Sequence, residues 1–301
     1  MSMPANDRVL VTGSMGQLGF DLTKYLSAKF DVTAVDQAEM DITSRNAVMG
    51  VLTAVRPSIV IHTAAYTDVD GAESNEKLAM AVNAGGTENV ALGCKAVGAK
   101  LVYYSTDYVF DGTKGSAYFE SDVPNPATIY GKSKLAGEER VLALLDDYVT
   151  MRIAWLYGIQ GKNFVKTMIR LGKEQMAGAG NGLSSKPIRV VDDQVGNPTW
   201  TMDIVRQTEE ILSRNLCGLF HATSEGETTW YGLARLVFDE LHLDRVMLEP
   251  CTTAEYPRSA PRPSYSSLEN DRLKGIGINI MRSYRQALSE FLQIHHERLQ
   301  K

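Results

Sequence analysis

The patterned part of the chain begins with RVLVTG (Arg8–Gly13), a short apolar run rich in β-formers that stops at a glycine. Leu18, Leu22, Tyr25 and Leu26 then recur at helical spacing and predict a helix from about Gly16 to Phe30. DVTAVD (Asp31–Asp36) predicts a second strand, and Ser44 is placed to cap a helix that Pro57 closes. SIVIHTAA (Ser58–Ala65) reads as a third strand, almost wholly apolar before His62. A long helical stretch is expected from Glu73 to Val97, followed by the strand AKLVYYS, a helix over Tyr130–Leu145 and the strand YVTMRIAWLYG. Apolar strands alternating with helices predict a parallel sheet covered on both faces.

Beyond Gly158 the regularity weakens. QMAGAGNGLSSKP (Gln175–Pro187) is rich in Gly and Ser and reads as a loop, longer than usual. Helices are expected at Thr201–Arg214, Thr229–Leu241 and Tyr284–Arg298. The pattern divides the chain into a first domain, 1–158, and a smaller second one, 159–301, with some segments of the second returning to the first.

Composition narrows the class. Hydrophobic residues make up 44% and charged residues 22% of 301, enough for a large core. The net charge of −5 gives no reason to expect nucleic acid as a partner. MSMPANDR lacks an apolar signal core, and no apolar run reaches the length of a membrane span. Cys94, Cys217 and Cys251 are odd in number and far apart, without metal-ligand spacing, which points to a reduced, cytoplasmic compartment.

TGSMGQLG sets Gly13, Gly16 and Gly19 three residues apart between the first strand and the first helix. Glycine permits a tight turn and close approach to a pyrophosphate, and the helix N-terminus that follows favours an anion. The spacing is GxxGxxG rather than GxGxxG, so placement after the first strand carries more weight than the triplet. Asp36 ends the second strand, 23 residues after Gly13. A carboxylate there can accept from an adenosine ribose and would repel a 2′-phosphate, which favours NADH over NADPH; a solvated turn aspartate is the other reading. Asp41 and Ile42 either border the adenine or lead into the helix that Ser44 caps. These signals specify the fold class: α/β, a Rossmann-type doubly wound parallel sheet with a smaller C-terminal substrate-binding domain.

Tyr130 and Lys134 are four apart, hence one turn apart on a single helix face. A free tyrosine titrates near 10, and bringing it to about 7 requires roughly 4 kcal/mol of help for the phenolate. An ammonium about 4 Å away supplies about that much at an effective dielectric near 20. Such a pair can move a proton at neutral pH.

TGSMGQLG, HTAAYTDVD, VNAGGTENVA, STDYVFDG, YGKSKLAGE, RIAWLYG and DDQVGNPTW, in that order, resemble the extended short-chain dehydrogenase/reductases, and within them the dTDP-4-dehydrorhamnose reductases. The resemblance runs from about Val9 to RPSYSSLEN (Arg262–Asn270). It implies a catalytic set in which Thr106 bonds the substrate carbonyl, Tyr130 donates the proton, and Lys134 holds the nicotinamide ribose. It places the dinucleotide against Gly13, Met15, Gly16, Gln17, Leu18, Asp36, Asp41, Ile42, Ala64 and Ala65, together with Tyr130 and Lys134. Asn83 matches the family's helix asparagine. Thr67, Val69, Tyr108 and Trp155 would line the sugar site, and Trp155 would offer the ring a flat apolar face. Asn163 and Arg262 are candidates for the diphosphate. His62 reads as a satisfied strand-end histidine. Asp21 matches the family's occasional metal site at one residue only, so no metal is expected.

The implied function is NAD(P)H-dependent reduction of the C4 ketone of a nucleotide sugar in dTDP-rhamnose biosynthesis, with a homodimer as the candidate assembly. Related dehydratases carry an Asp-Glu pair after the threonine; here Asp107 is followed by Tyr108, which argues against elimination. An epimerase uses the same three residues and stays as the alternative, as does a non-catalytic regulatory subunit. Two departures stand out: many relatives have alanine and lysine where this chain has Asp68 and Gly71.

Overall fold

The computed structural model describes residues 8–179 and 186–300. Six parallel strands form the central sheet: β1 (Arg8–Thr12), β2 (Asp31–Val35), β3 (Ile59–His62), β4 (Lys100–Thr106), β5 (Tyr148–Ile153) and β6 (Gly218–His221). Their spatial order is β2-β1-β3-β4-β5-β6. The order reverses between β1 and β3, and such switch points open a crevice beyond the strands' C-terminal ends.

The strands alternate between two cores. Val9 and Val11, Ile61, Val102 and Tyr104 face one, while Leu10, Val60, Leu101 and Tyr103 face the other. This explains the uninterrupted apolar runs, since a strand covered on both sides has no face for water. Helices α1 (Gln17–Leu26), α2 (Arg45–Val55), α3 (Thr87–Val97) and α4 (Ile129–Leu144) belong to the first half. Leu18, Leu22 and Leu26 of α1 enter the first core, and Val48 and Leu52 of α2 the second. Ser44 accepts from the Ala47 N–H and starts α2; a cap of this kind contributes about 1 kcal/mol.

Helix α1 ends at Leu26, four residues before the predicted end. The stretch expected to be one helix from Glu73 to Val97 is segmented. It comprises Val69–Ser74, a break at Asn75, Glu76–Met80, a π-helical turn at Ala81–Gly86, and α3. π-turns shift the helix register and recur at functional sites, and this one presents Asn83 to the loop after β3.

The second half contains α5 (Phe164–Ala179), α6 (Thr201–Ser213), α7 (Trp230–Glu240) and α8 (Tyr284–Ile294). The expected loop at Gln175–Pro187 is corrected at its start. Gln175–Ala179 is the last turn of α5, where the Gln175 side chain donates to the Lys186 carbonyl and accepts from the Met247 N–H. Residues 180–185 lie outside the described part. Tyr157, Trp200, Leu233, Val237, Leu288 and Phe291 build a third core among these elements. The second half is not separate: β6 completes the central sheet, and Ile204, Val205 and Ile211 of α6 pack into the first core with α1. Among the described residues no helix is long and apolar enough to cross a membrane.

Candidate active site

The register lines up the C-terminal ends of the strands. Thr12 stands beside Val35 and His62, His62 beside Tyr103, and Thr106 beside Ile153. The residues just past these ends therefore meet along one edge and line a cleft of about 1060 Å³.

One part of the cleft is the turn between β1 and α1. Gly13 has a φ of +63°, and a Cβ there would come 2.7 Å from the Ala64 backbone N. A Cβ on Gly19 would strike the Gly13 carbonyl at 2.2 Å. Both positions require glycine for packing. Gly16 differs: within 4 Å its Cβ would meet the Gly13 carbonyl oxygen alone, so it would project into the cleft. Gly16 is also the N-cap of α1 and supplies no side-chain cap, while Gln17, Leu18 and Gly19 line the cleft. An uncapped helix start with room beside it suits a phosphate. Asp36, Asp41, Ile42, Ala64 and Ala65 line the same cleft. The Asp36 carboxylate accepts from the backbone N–H of Met15 at 2.9 Å and of Gln37 at 2.8 Å. Met15 does not line the cleft; its side chain is exposed. Asp41 accepts from the Thr43 N–H and hydroxyl, which hold its carboxyl below the usual range.

The other part gathers around α4. Thr128 caps this helix by accepting from the Gly131 N–H. Gly131 allows the approach: a Cβ there would stand 2.1 Å from the Tyr108 carbonyl. Tyr130 thereby packs edge-on against Tyr108, ring centroids 5.7 Å apart. Thr106, Tyr108, Tyr130 and Lys134 all line the cleft. Asn83 is buried and fastens three pieces together. Its carboxamide accepts from the Tyr66 N–H at 2.8 Å, donates to the Tyr66 carbonyl at 3.0 Å and donates to Ser133 at 2.9 Å. His62 bonds Thr12 at 2.8 Å and Thr87 at 3.2 Å. Because Thr87 spends its proton on the Asn83 carbonyl, His62 donates through Nε2 and accepts at Nδ1. Burial, with Lys134 nearby, pushes its pKa down to about 3, so it stays a neutral structural group.

The electrostatics correct one expectation. Burial pushes the Tyr130 phenol up to about 12, against the pull of the Thr106 hydroxyl. Burial also brings Lys134 down to about 7, with Glu138 opposing. The Lys134 ammonium sits 4.2 Å from the centre of the Tyr103 ring. In the protein alone the pair does not lower the phenol, because desolvation acts on both groups at once.

Thr67, Val69 and Trp155 also line the cleft. Trp155 has a left-handed backbone, φ +44°, and Trp230 stacks on it with centroids 3.5 Å apart and planes within 5°. One of its two flat faces is therefore covered by Trp230. Trp230 was not legible in the sequence as a site residue; it starts α7, 75 positions from Trp155. Asn163 and Arg262 are not brought to the cleft wall. Asn163 donates to Gln17 and to the Gly158 carbonyl, and Arg262 pairs with Asp70 at 2.8 Å. Asp21 is occupied as the acceptor of the Thr201 hydroxyl. The two departures, Asp68 and Gly71, explain each other. Asp68 caps the helix Val69–Ser74 by accepting from the Gly71 N–H, and a Cβ on Gly71 would lie 2.4 Å from its carboxylate.

A family model described as RmlD substrate binding domain matches residues 7–296. A dTDP-4-dehydrorhamnose reductase of Streptomyces griseus is 42% identical over 298 residues, covering 96% of this chain and 94% of that one. A dTDP-4-keto-6-deoxy-D-glucose reductase of Streptomyces niveus is 40% identical across 94% of this chain and 96% of its own. The crystal structure of a dTDP-4-dehydrorhamnose reductase from Bacillus anthracis str. Ames in complex with NADP is 40% identical, with a TM-score of 0.90 over 95% of this chain and 99% of that one. The match spans nearly the whole of both partners in each case, and the chain belongs to the RmlD substrate binding domain family, that of the dTDP-4-dehydrorhamnose reductases.

Proposed function

We propose that this protein is a nicotinamide-dependent reductase that converts the C4 ketone of dTDP-4-dehydro-6-deoxy-L-mannose to the alcohol of dTDP-L-rhamnose. The carrying observation is the single cleft that joins the glycine turn to Thr106, Tyr130 and Lys134. The reduced nicotinamide, when bound, supplies the hydride. The chain's own groups do the rest. The uncapped start of α1 receives the pyrophosphate, Asp36 accepts from the adenosine ribose, and Lys134 holds the nicotinamide ribose. Thr106 donates to the ketone oxygen, and Tyr130 gives it a proton as the oxygen gains charge. Thr67, Val69, Tyr108 and the Trp155–Trp230 wall bound the sugar. Free cysteines at 94, 217 and 251 fit a cytoplasmic setting for this chemistry.

The test is direct. Purified protein incubated with the keto sugar and NADH is expected to oxidise the cofactor, with dTDP-L-rhamnose identified by NMR. Reduction of dTDP-4-keto-6-deoxy-D-glucose in place of this sugar would move the assignment toward the activity named for the Streptomyces niveus relative. Inversion without net cofactor oxidation would make the protein an epimerase.

Asp36 carries the cofactor preference. The cations lining the cleft are Lys134, over Tyr103, and Lys162, next to Gly161, which faces Gln17; no arginine lines it. A 2′-phosphate at Asp36 would meet a carboxylate without a compensating cation. We expect NADH to give the higher kcat/KM, and Asp36→Ala to narrow the ratio by about tenfold, the equivalent of about 1.4 kcal/mol. A native preference for NADPH by that margin would overturn the role of Asp36.

A further inference from the structure

Thr106 has one proton and two lone pairs to distribute. Its hydroxyl donates to Asp107 Oδ1 at 2.9 Å and accepts from the Tyr108 N–H at 3.2 Å. The Tyr130 phenol is near enough to the same hydroxyl to feel its pull. In this arrangement Thr106 spends its proton on Asp107. The Thr106 hydroxyl assigned to the ketone is then turned away from it.

A proton on Asp107 reverses this. The carboxylic acid becomes the donor to Thr106, and the Tyr108 N–H fills the remaining lone pair. The Thr106 proton is released. We propose that Asp107 is a positioning residue whose protonated form turns the Thr106 hydroxyl toward the substrate carbonyl. This rests on the reading of that hydroxyl as a donor to the carbonyl.

The surroundings of Asp107 favour that form. The residue is 2% exposed yet lines the cleft, and its Oδ2 has no hydrogen-bond partner. A buried ionised carboxylate with an unpartnered oxygen is costly. Burial pushes its pKa up to about 6, against the pull of Ser266 and Thr106. The titratable groups facing it are Tyr108 and Tyr130, both neutral at pH 7. Tyr108 in turn faces Arg262 and Asp70, which are paired with each other. A bound sugar that excludes water would favour the proton further.

The experiment compares kcat/KM against pH for the wild type and Asp107→Asn, whose carboxamide can donate to Thr106 at any pH. In the wild type the rate is expected to fall from about pH 6 upward, by about tenfold per pH unit while one group titrates. In D107N the fall is expected to begin about one unit higher, near 7, where Lys134 loses its proton. Below pH 6 the two should agree within about threefold. Coincident profiles would overturn the proposal. If D107N does not fold, wild-type protein with NADH and dTDP-L-rhamnose is read by infrared difference spectroscopy at pH 7. A carboxylic-acid carbonyl band appearing on sugar binding supports the proposal, and its absence overturns it. Thr106→Val separates the two levels: if it turns over normally, the carbonyl reading itself fails, whatever D107N does.

Discussion

Tyr130→Phe is expected to lower kcat by about 10²-fold or more with little change in dinucleotide affinity. The substitution keeps the ring, and therefore the edge-on packing against Tyr108 that stabilises this end of α4. What it removes is the hydroxyl proposed to give the ketone its proton. The phenol's high pKa makes the effect larger, not smaller. At about 12 the group is fully protonated across the working range, so a proton is always present to donate. Without it the alkoxide would have to take its proton from water. Turnover and dinucleotide binding, measured separately by absorbance and fluorescence, check this. Near-normal turnover would rule out Tyr130 as the acid.

Glu138→Ala is expected to destabilise the protein by about 3–5 kcal/mol, the range for removing one partner of a buried ion pair. Glu138 receives Arg152 bidentately, at 2.9 and 2.7 Å, and their side chains are 10% and 3% exposed. Arg152 Nη1 already lacks a hydrogen-bond partner. Removing the carboxylate leaves the guanidinium buried against the Phe110 ring with no counter-charge. The same carboxylate lies one turn beyond Lys134 and supports its charge. Glu138→Gln, which keeps the volume, should therefore also lower the pKa of Lys134 and bring forward the alkaline fall in rate. Urea titration gives the first effect and the pH profile the second. A stability within 1 kcal/mol of the wild type would show that the pair only breaks even.

Much of this site was legible in the sequence because it is local. Strands β1, β3 and β4 announce themselves as apolar runs, since burial on both faces leaves no polar alternation. The glycine turn sits between β1 and α1 in any parallel sheet, and four-residue spacing places Tyr130 and Lys134 on one side of α4 whatever surrounds them. Most of the expected dinucleotide residues meet in the cleft for the same reason: they follow the C-terminal ends of adjacent strands. The cap of α2 by Ser44 was equally readable.

Other features depended on contacts between distant segments. The short strand β6 has little pattern of its own and is specified by pairing with β5. Gln175 reads as loop from its glycine-rich neighbours, but is held helical by bonds to residues 186 and 247. Trp230 becomes a wall of the cleft only because α7 lays it on Trp155. The direction of the Tyr130 pKa follows from how much of the fold closes around it, while spacing to Lys134 shows only the attraction. Asp107 reads in the sequence as half of a missing elimination pair. Its role as the group that orients Thr106 emerges from burial and an unpartnered oxygen. Periodicity and spacing record what a residue does to its near neighbours; desolvation and proton direction are set by everything packed around it, and that exists only once the chain has folded.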